Sequence, residues 1–122
     1  MDDVTIPEKF RDEIRRAAAY RVNGACKAWG SIFSVDDDEA IADMRAQCEV
    51  IGDRIATMEA LEAGATTLPE ETYRSLLREA ADRAAYAVSS AVEAAASPEH
   101  IAEMAILSRD LHAAEMEALA HA

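Results

Sequence analysis

Two stretches decide how this chain folds: Thr5–Ala18, TIPEKFRDEIRRAA, and Thr67–Ala81, TLPEETYRSLLREAA. Each opens on Thr-x-Pro-Glu and runs into an amphipathic helical pattern. A threonine before a proline and a glutamate reads as a helix start. Threonine caps the free N–H groups, proline tolerates the first turn, and the glutamate closes a capping box. A shift of 63 residues superimposes the helical positions: Phe10 on Tyr73, Arg11 on Arg74, Ile14 on Leu77, Arg15 on Arg78, Ala17 and Ala18 on Ala80 and Ala81. Farther on, Ser34 falls on Ser97, and Ile41, Met44 and Cys48 fall on Met104, Leu107 and Leu111. The Thr-x-Pro-Glu motif itself needs a shift of 62, one residue fewer. Two explanations stay open: an internal duplication, or the register shared by any two amphipathic helices.

Working outward, the apolar periodicity predicts four helices. The first runs from the Thr5 cap to about Phe33 with the face Phe10, Ile14, Ala17, Ala25, Ala28, Ile32. The second starts around Ser34–Asp37 with the stripe Ile41, Met44, Cys48, Ile51, Ile55, Met58, and Gly64 closes it. The third carries Tyr73, Leu77, Ala80, Ala84, Val88, Ala91, Ala95. Ser97-Pro98-Glu99 ends it and caps the fourth, whose stripe is Ile101, Met104, Leu107, Leu111, Ala118, Leu119. Short connections make consecutive helices antiparallel neighbours. The expected fold is therefore all-α: one domain over residues 1–122, an antiparallel four-helix bundle of two similar hairpins, about 5–64 and 67–121. The alanine-rich third helix permits close helix approach, or pairing of hairpins across a dimer.

Composition sets the limits. Of 122 residues, 51% are hydrophobic, many of them alanine, with three prolines and four glycines, which is a helix composition. No apolar run reaches the length of a membrane span, and MDDVTIPEKF lacks the apolar stretch of a signal peptide, so a cytoplasmic location is expected. Cys26 and Cys48 then read as reduced thiols, Cys48 as a small hydrophobe on a core face. The net charge of −12 repels nucleic acid and anionic membranes, so neither is an expected direct partner.

The charge is uneven. Residues 35–64 hold nine acids against Arg45 and Arg54. The run Asp36, Asp37, Asp38, Glu39, continued by Asp43, complements a helix N-terminus. It also has the charge density to imitate a phosphate backbone, which gives one candidate function, an acidic mimic that blocks a DNA- or RNA-binding protein. The aromatics Tyr20, Trp29, Phe33 and Tyr86 overflow their helices' apolar faces and are candidate interface anchors. Arg21 and Glu115 interrupt apolar faces, with His112 beside Glu115. A charge in a core is costly unless paired, so these three are candidates for a buried polar cluster.

For metals, His100/Glu103, His112/Glu115 and Glu117/His121 have one-sided helical spacing. Bundle di-iron sites instead place Glu-x-x-His on two helices. No native metal and no cofactor is expected from these residues. No nucleophile motif or glycine-rich phosphate loop is present.

Glu59-Ala-Leu-Glu62, sixteen residues, then Glu79-Ala-Ala-Asp82 resembles the ExxE…ExxD signature of the all-α NTP pyrophosphohydrolases, the MazG-like family. The resemblance covers about two dozen residues. It implies that Glu59, Glu62, Glu79 and Asp82 hold Mg²⁺ on a triphosphate. Met58 stands where the family has a second acid, and Ala81 where it has glycine. The leading expectation is a non-enzymatic protein–protein interaction or regulatory module that self-associates and binds a protein of unknown identity. The Mg²⁺-dependent hydrolase and the nucleic-acid mimic are the alternatives.

Overall fold

The computed structural model describes the backbone of residues 3–30 and 38–120, and the side chains of residues 3–22, 49–50 and 52–120. It is all-α apart from one small ladder. In chain order the elements are β1 (Asp3–Thr5), a 3-10 turn (Glu8–Phe10), α1 (Arg11–Gly30), α2 (Asp38–Glu62), β2 (Thr67–Pro69), α3 (Glu70–Glu93) and α4 (Pro98–Ala120). The chain divides into two compact units, one of residues 1–17 and 66–122 and one of residues 18–65. The division falls inside α1.

The first unit is built around the two repeated stretches, and here the expected capping boxes are corrected. Thr5 and Thr67 do not cap helices; each lies in a strand. β1 and β2 pair antiparallel, with Asp3 opposite Pro69, Val4 opposite Leu68 and Thr5 opposite Thr67. The Ile6 N–H donates to the Thr66 carbonyl at 2.8 Å and continues the pairing. Thr5 and Thr67, opposite each other in the ladder, are counterparts under the 62-residue shift. The helix starts fall to Pro7 and Pro69, with φ/ψ of −56°/136° and −53°/141° and no side-chain cap on either. The reason is that proline's fixed φ serves an extended segment as well as a first helical turn. The threonines are claimed by a strand partner 62 positions away.

The one-residue mismatch between the repeats also has a structural cause. After Pro69 the chain enters α3 directly. After Pro7 it first makes the 3-10 turn, closed by the Phe10 N–H on the Pro7 carbonyl at 2.9 Å. A 3-10 turn uses about 3.0 residues where an α-turn uses about 3.6, so it absorbs most of one missing residue. Phe10 thereby reaches the position that Tyr73 occupies in the other copy. Counterparts are buried in both: Ile6 and Leu68, Phe10 and Tyr73, Ile14 and Leu77, Ala17 and Ala80, Ala18 and Ala81.

α3 packs along α4 and touches both strands. Its buried row is Tyr73, Leu76, Leu77, Ala80, Ala81, Ala84 and Ala91. This is the expected stripe with Leu76 and Ala81 added. Val88 is half-buried, and Ala95 lies beyond the helix. The connection to α4 is short because α3 ends in a Schellman motif. The Ala96 N–H donates to the Ala91 carbonyl and the Ala95 N–H to that of Val92, with Ala95 left-handed at φ 56°. Ser97 then caps α4 as expected, its hydroxyl accepting from the His100 N–H at 3.3 Å. On α4 only Leu111 is fully buried; Leu119, expected in the core, is 58% exposed.

The second unit holds the remainder of α1 and all of α2. Ala18, Val22 and Leu61 are buried, and Ile55 and Met58 half-buried. Gly64 closes α2 as the sequence predicts. Its φ is 97°, and the Ala65 and Gly64 N–H groups donate to the carbonyls of Ala60 and Leu61. The expected core positions Ala25, Ala28, Ile32, Ile41, Met44, Cys48 and Ile51 lie outside the described side chains, as does Cys26. Among the described residues, no helix is long and apolar enough to cross a membrane.

Candidate interaction surfaces

α3 turns its alanine-rich row inward, so its opposite face is presented outward. That outer face carries charges of both signs, Arg78, Glu79, Asp82 and Arg83, and then a single large aromatic, Tyr86, which is 75% exposed. Tyr20, on α1 in the other unit, is 55% exposed. Of the remaining expected interaction residues, Phe33, Asp36 and Asp37 lie outside the described residues. Trp29 lies on α1, and Asp38, Glu39 and Asp43 lie on α2, with side chains outside the description.

The expected polar cluster is distributed between the two units. Arg21 is half-buried on α1 within residues 18–65. His112 and Glu115 sit on α4 in the other unit, His112 exposed and Glu115 half-buried. A carbonyl only accepts, so the His112 Nδ1–H donates to the Ser108 carbonyl of its own helix at 2.8 Å. The structure does bring Glu115 and His112 to one groove of about 800 Å³ between α3 and α4, with Arg74, Arg78 and Asp82 also lining it. The carboxylates of the ExxE…ExxD pattern divide the same way. Glu59 and Glu62 are exposed on α2, Glu79 is half-buried and Asp82 exposed on α3. Among the described residues, no three or more His, Cys, Asp or Glu side chains gather into a metal-binding group.

A second cleft, of about 440 Å³, lies on the other side of α4, where the 3-10 turn, the start of α3 and the end of α4 converge. Val4, Phe10 and Tyr73 give it an apolar lining, and Glu70, Asp110 and Glu117 add carboxylates. Lys9 stands over the Phe10 ring at 4.9 Å from its centroid. The Arg74 Nε is buried and has no hydrogen-bond partner among the described residues. Burial pushes the Tyr73 phenol above its ordinary range, and the Glu117 carboxylate adds to the shift by opposing a phenolate.

The surface that sequence reasoning missed is the back of α4. With Leu111 buried, the opposite side of the helix is exposed, and Arg109 is the one charge along its central row. Ala102, Ile106, Arg109, Ala113, Met116 and Ala120 follow one another in steps of four and three and are all exposed or nearly so, Ile106 by 50% and Met116 by 67%. The signal was present in that spacing. It is the same period as the core stripe, displaced to the other side of the helix, and the alanines hid it. Set against models of protein families, curated proteins and solved structures, the chain matches none of them.

Proposed function

We propose that this chain is a non-enzymatic interaction or regulatory module that works through exposed helix faces, self-associates and binds a protein partner. The observation that supports it most is Tyr86, a large aromatic 75% exposed on the outer face of α3. An aromatic held rigidly on a helix loses little entropy on docking and contributes much contact area, which makes it a natural anchor. Exposed charges of both signs flank it, Arg78 and Asp82, so a second copy can complement them. The same reading takes the four helices as an antiparallel bundle, a cytoplasmic location, and no direct contact with nucleic acid or membrane at a net charge of −12.

The test is sedimentation equilibrium of the wild type and Tyr86→Ala, together with affinity capture of the tagged full chain from its native cell. The proposal expects self-association or a stoichiometric protein partner, weakened about tenfold or more by Tyr86→Ala, the loss of one interface anchor. A chain that sediments as a monomer and returns without a partner overturns it. Mg²⁺-dependent NTP turnover abolished by Glu59→Ala or Asp82→Ala would establish the hydrolase in its place.

A further inference from the structure

The back of α4 is a helix-docking face with a charge pattern on its edges. Its row runs Ala102, Ile106, Arg109, Ala113, Met116, Ala120, the alternating spacing of a coiled-coil seam. Small alanines let a partner backbone approach, and Ile106 and Met116 supply apolar contacts. Its one charge, Arg109, is turned to the neighbouring Asp110 at 3.2 Å. One edge of the row is Glu103, Asp110 and Glu117, spaced by seven. The other edge is Ala105, His112 and Leu119. Over Pro98–Ala120 there are five acids (Glu99, Glu103, Asp110, Glu115, Glu117) against Arg109, a net charge of −4 with histidines neutral.

The edges decide what fits. A second copy laid antiparallel sets the acidic edge against itself. Laid parallel, the acidic edge meets alanine, histidine and leucine. Neither arrangement gives the row of carboxylates a row of cations, and like charges at these flanking positions oppose pairing. A basic helix does supply one. The acidic edge also leads into the 440 Å³ cleft, which Asp110, Ala113 and Glu117 line together with Val4, Phe10 and Tyr73. The face therefore continues into an apolar recess whose α4 margin carries the carboxylates Asp110 and Glu117, with Lys9 and Arg74 among its other lining residues, and which is suited to one bulky apolar side chain of the partner. We infer that the outer face of α4 binds a basic amphipathic helix of another protein, Ile106 and Met116 contacting its apolar stripe and Glu103, Asp110 and Glu117 its Lys or Arg edge.

This inference rests on the interaction reading above and names the class of partner. The probes are three-heptad synthetic peptides with leucine at both seam positions and either lysine or glutamate at the flanking positions. A scrambled lysine peptide of the same composition is the control. Titrated into the full chain, the lysine peptide is expected to bind, more weakly as ionic strength rises. The glutamate and scrambled peptides are expected not to bind. The charge-neutral double substitution Ile106→Ser with Met116→Ser should weaken the lysine peptide about tenfold or more, since both side chains are exposed anchors. Its helicity and unfolding midpoint should stay those of the wild type. Equal binding of the scrambled peptide, or undiminished binding to the double variant, overturns the inference. So does a wild-type dimer that the double variant turns into a monomer, because a second copy then occupies the face. A native partner lost by Tyr86→Ala and kept by the serine pair would sink the α4 site and leave the interaction reading standing.

Discussion

The two repeated stretches of the chain, Thr5–Ala18 and Thr67–Ala81, are written in nearly the same residues and solve one problem in two ways. Both use a threonine to pair, a proline to turn, and an aromatic, a branched aliphatic and two alanines to fill the core. They differ in the turn after proline, 3-10 in the first and α in the second. The difference shows where the constraint lies. The spacing along the chain is negotiable by a residue; the placement of Phe10 and Tyr73, and of Ile14 and Leu77, inside the unit is not. Local geometry bends so that the core positions coincide, because burying a large apolar side chain is worth about 1.5–3 kcal/mol.

The strongest way to break the comparison is to empty the matched core sites one at a time. Ile14 and Leu77 both have no exposed surface. Ile14→Ala and Leu77→Ala should each lower the unfolding free energy by about 2–5 kcal/mol, read by urea denaturation. The comparison predicts costs that agree within about 1 kcal/mol, less than the spread that cavity terms introduce between unrelated sites. A large cost at Leu77 beside a trivial one at Ile14 would show that only the second stretch carries the core.

A smaller and opposite pair of effects tests the helix ends. α2 and α3 finish in the same Schellman geometry, one on Gly64 at φ 97° and the other on Ala95 at φ 56°. A left-handed residue with a Cβ costs about 1–2 kcal/mol, which glycine avoids. Ala95→Gly should therefore raise stability by about 1 kcal/mol. Gly64→Ala should lower it by at least as much, although an added Cβ there would meet nothing within 4 Å. Thermal midpoints moving in opposite directions would confirm that the backbone angle, not packing, sets both.

These cases also explain what could be read from the sequence. The four helices, the Gly64 and Ser97 signals and the α3 stripe are local, governed by residues within one or two turns, and a periodicity count finds them. Thr5 and Thr67 carry an equally clear local signal that points the wrong way. Their partner is each other, across more than half the chain, and no window holding only one of them contains the pairing. Periodicity misplaces Leu119 and the back of α4 for a related reason. A helix rich in alanine has two sides of similar polarity, and the position of Leu111 in the fold decides which one is buried. Tyr86 was legible because its neighbours Asp82 and Arg83 are charged. The cleft beside Phe10 and Tyr73 was not, because it is assembled from β1, the 3-10 turn, α3 and α4 at once.

The finest distinction between the two stretches is one oxygen atom. Tyr73 stands where its counterpart is Phe10, and its phenol is displaced upward from the ordinary tyrosine range. Burial raises it first, and Glu117 raises it further. The neutral phenol is thus favoured in the folded chain. Below the ordinary tyrosine range, near pH 10, folded and unfolded chains both hold the proton and the shift has no consequence. As pH rises through about 10 the unfolded phenol ionises before the folded one, so stability is lost until the folded group ionises as well. Tyr73→Phe makes the two stretches alike at this site and removes that loss. Urea midpoints of the wild type and Tyr73→Phe should run parallel at neutral pH and diverge at alkaline pH, with the variant falling less. Every other group is common to the two proteins, so the difference between the two curves isolates the phenol. Parallel curves throughout would mean that the Tyr73 hydroxyl reaches water in the folded chain. The cleft lined by Phe10, Tyr73 and Glu117 would then be too open to serve as the apolar recess of the α4 face.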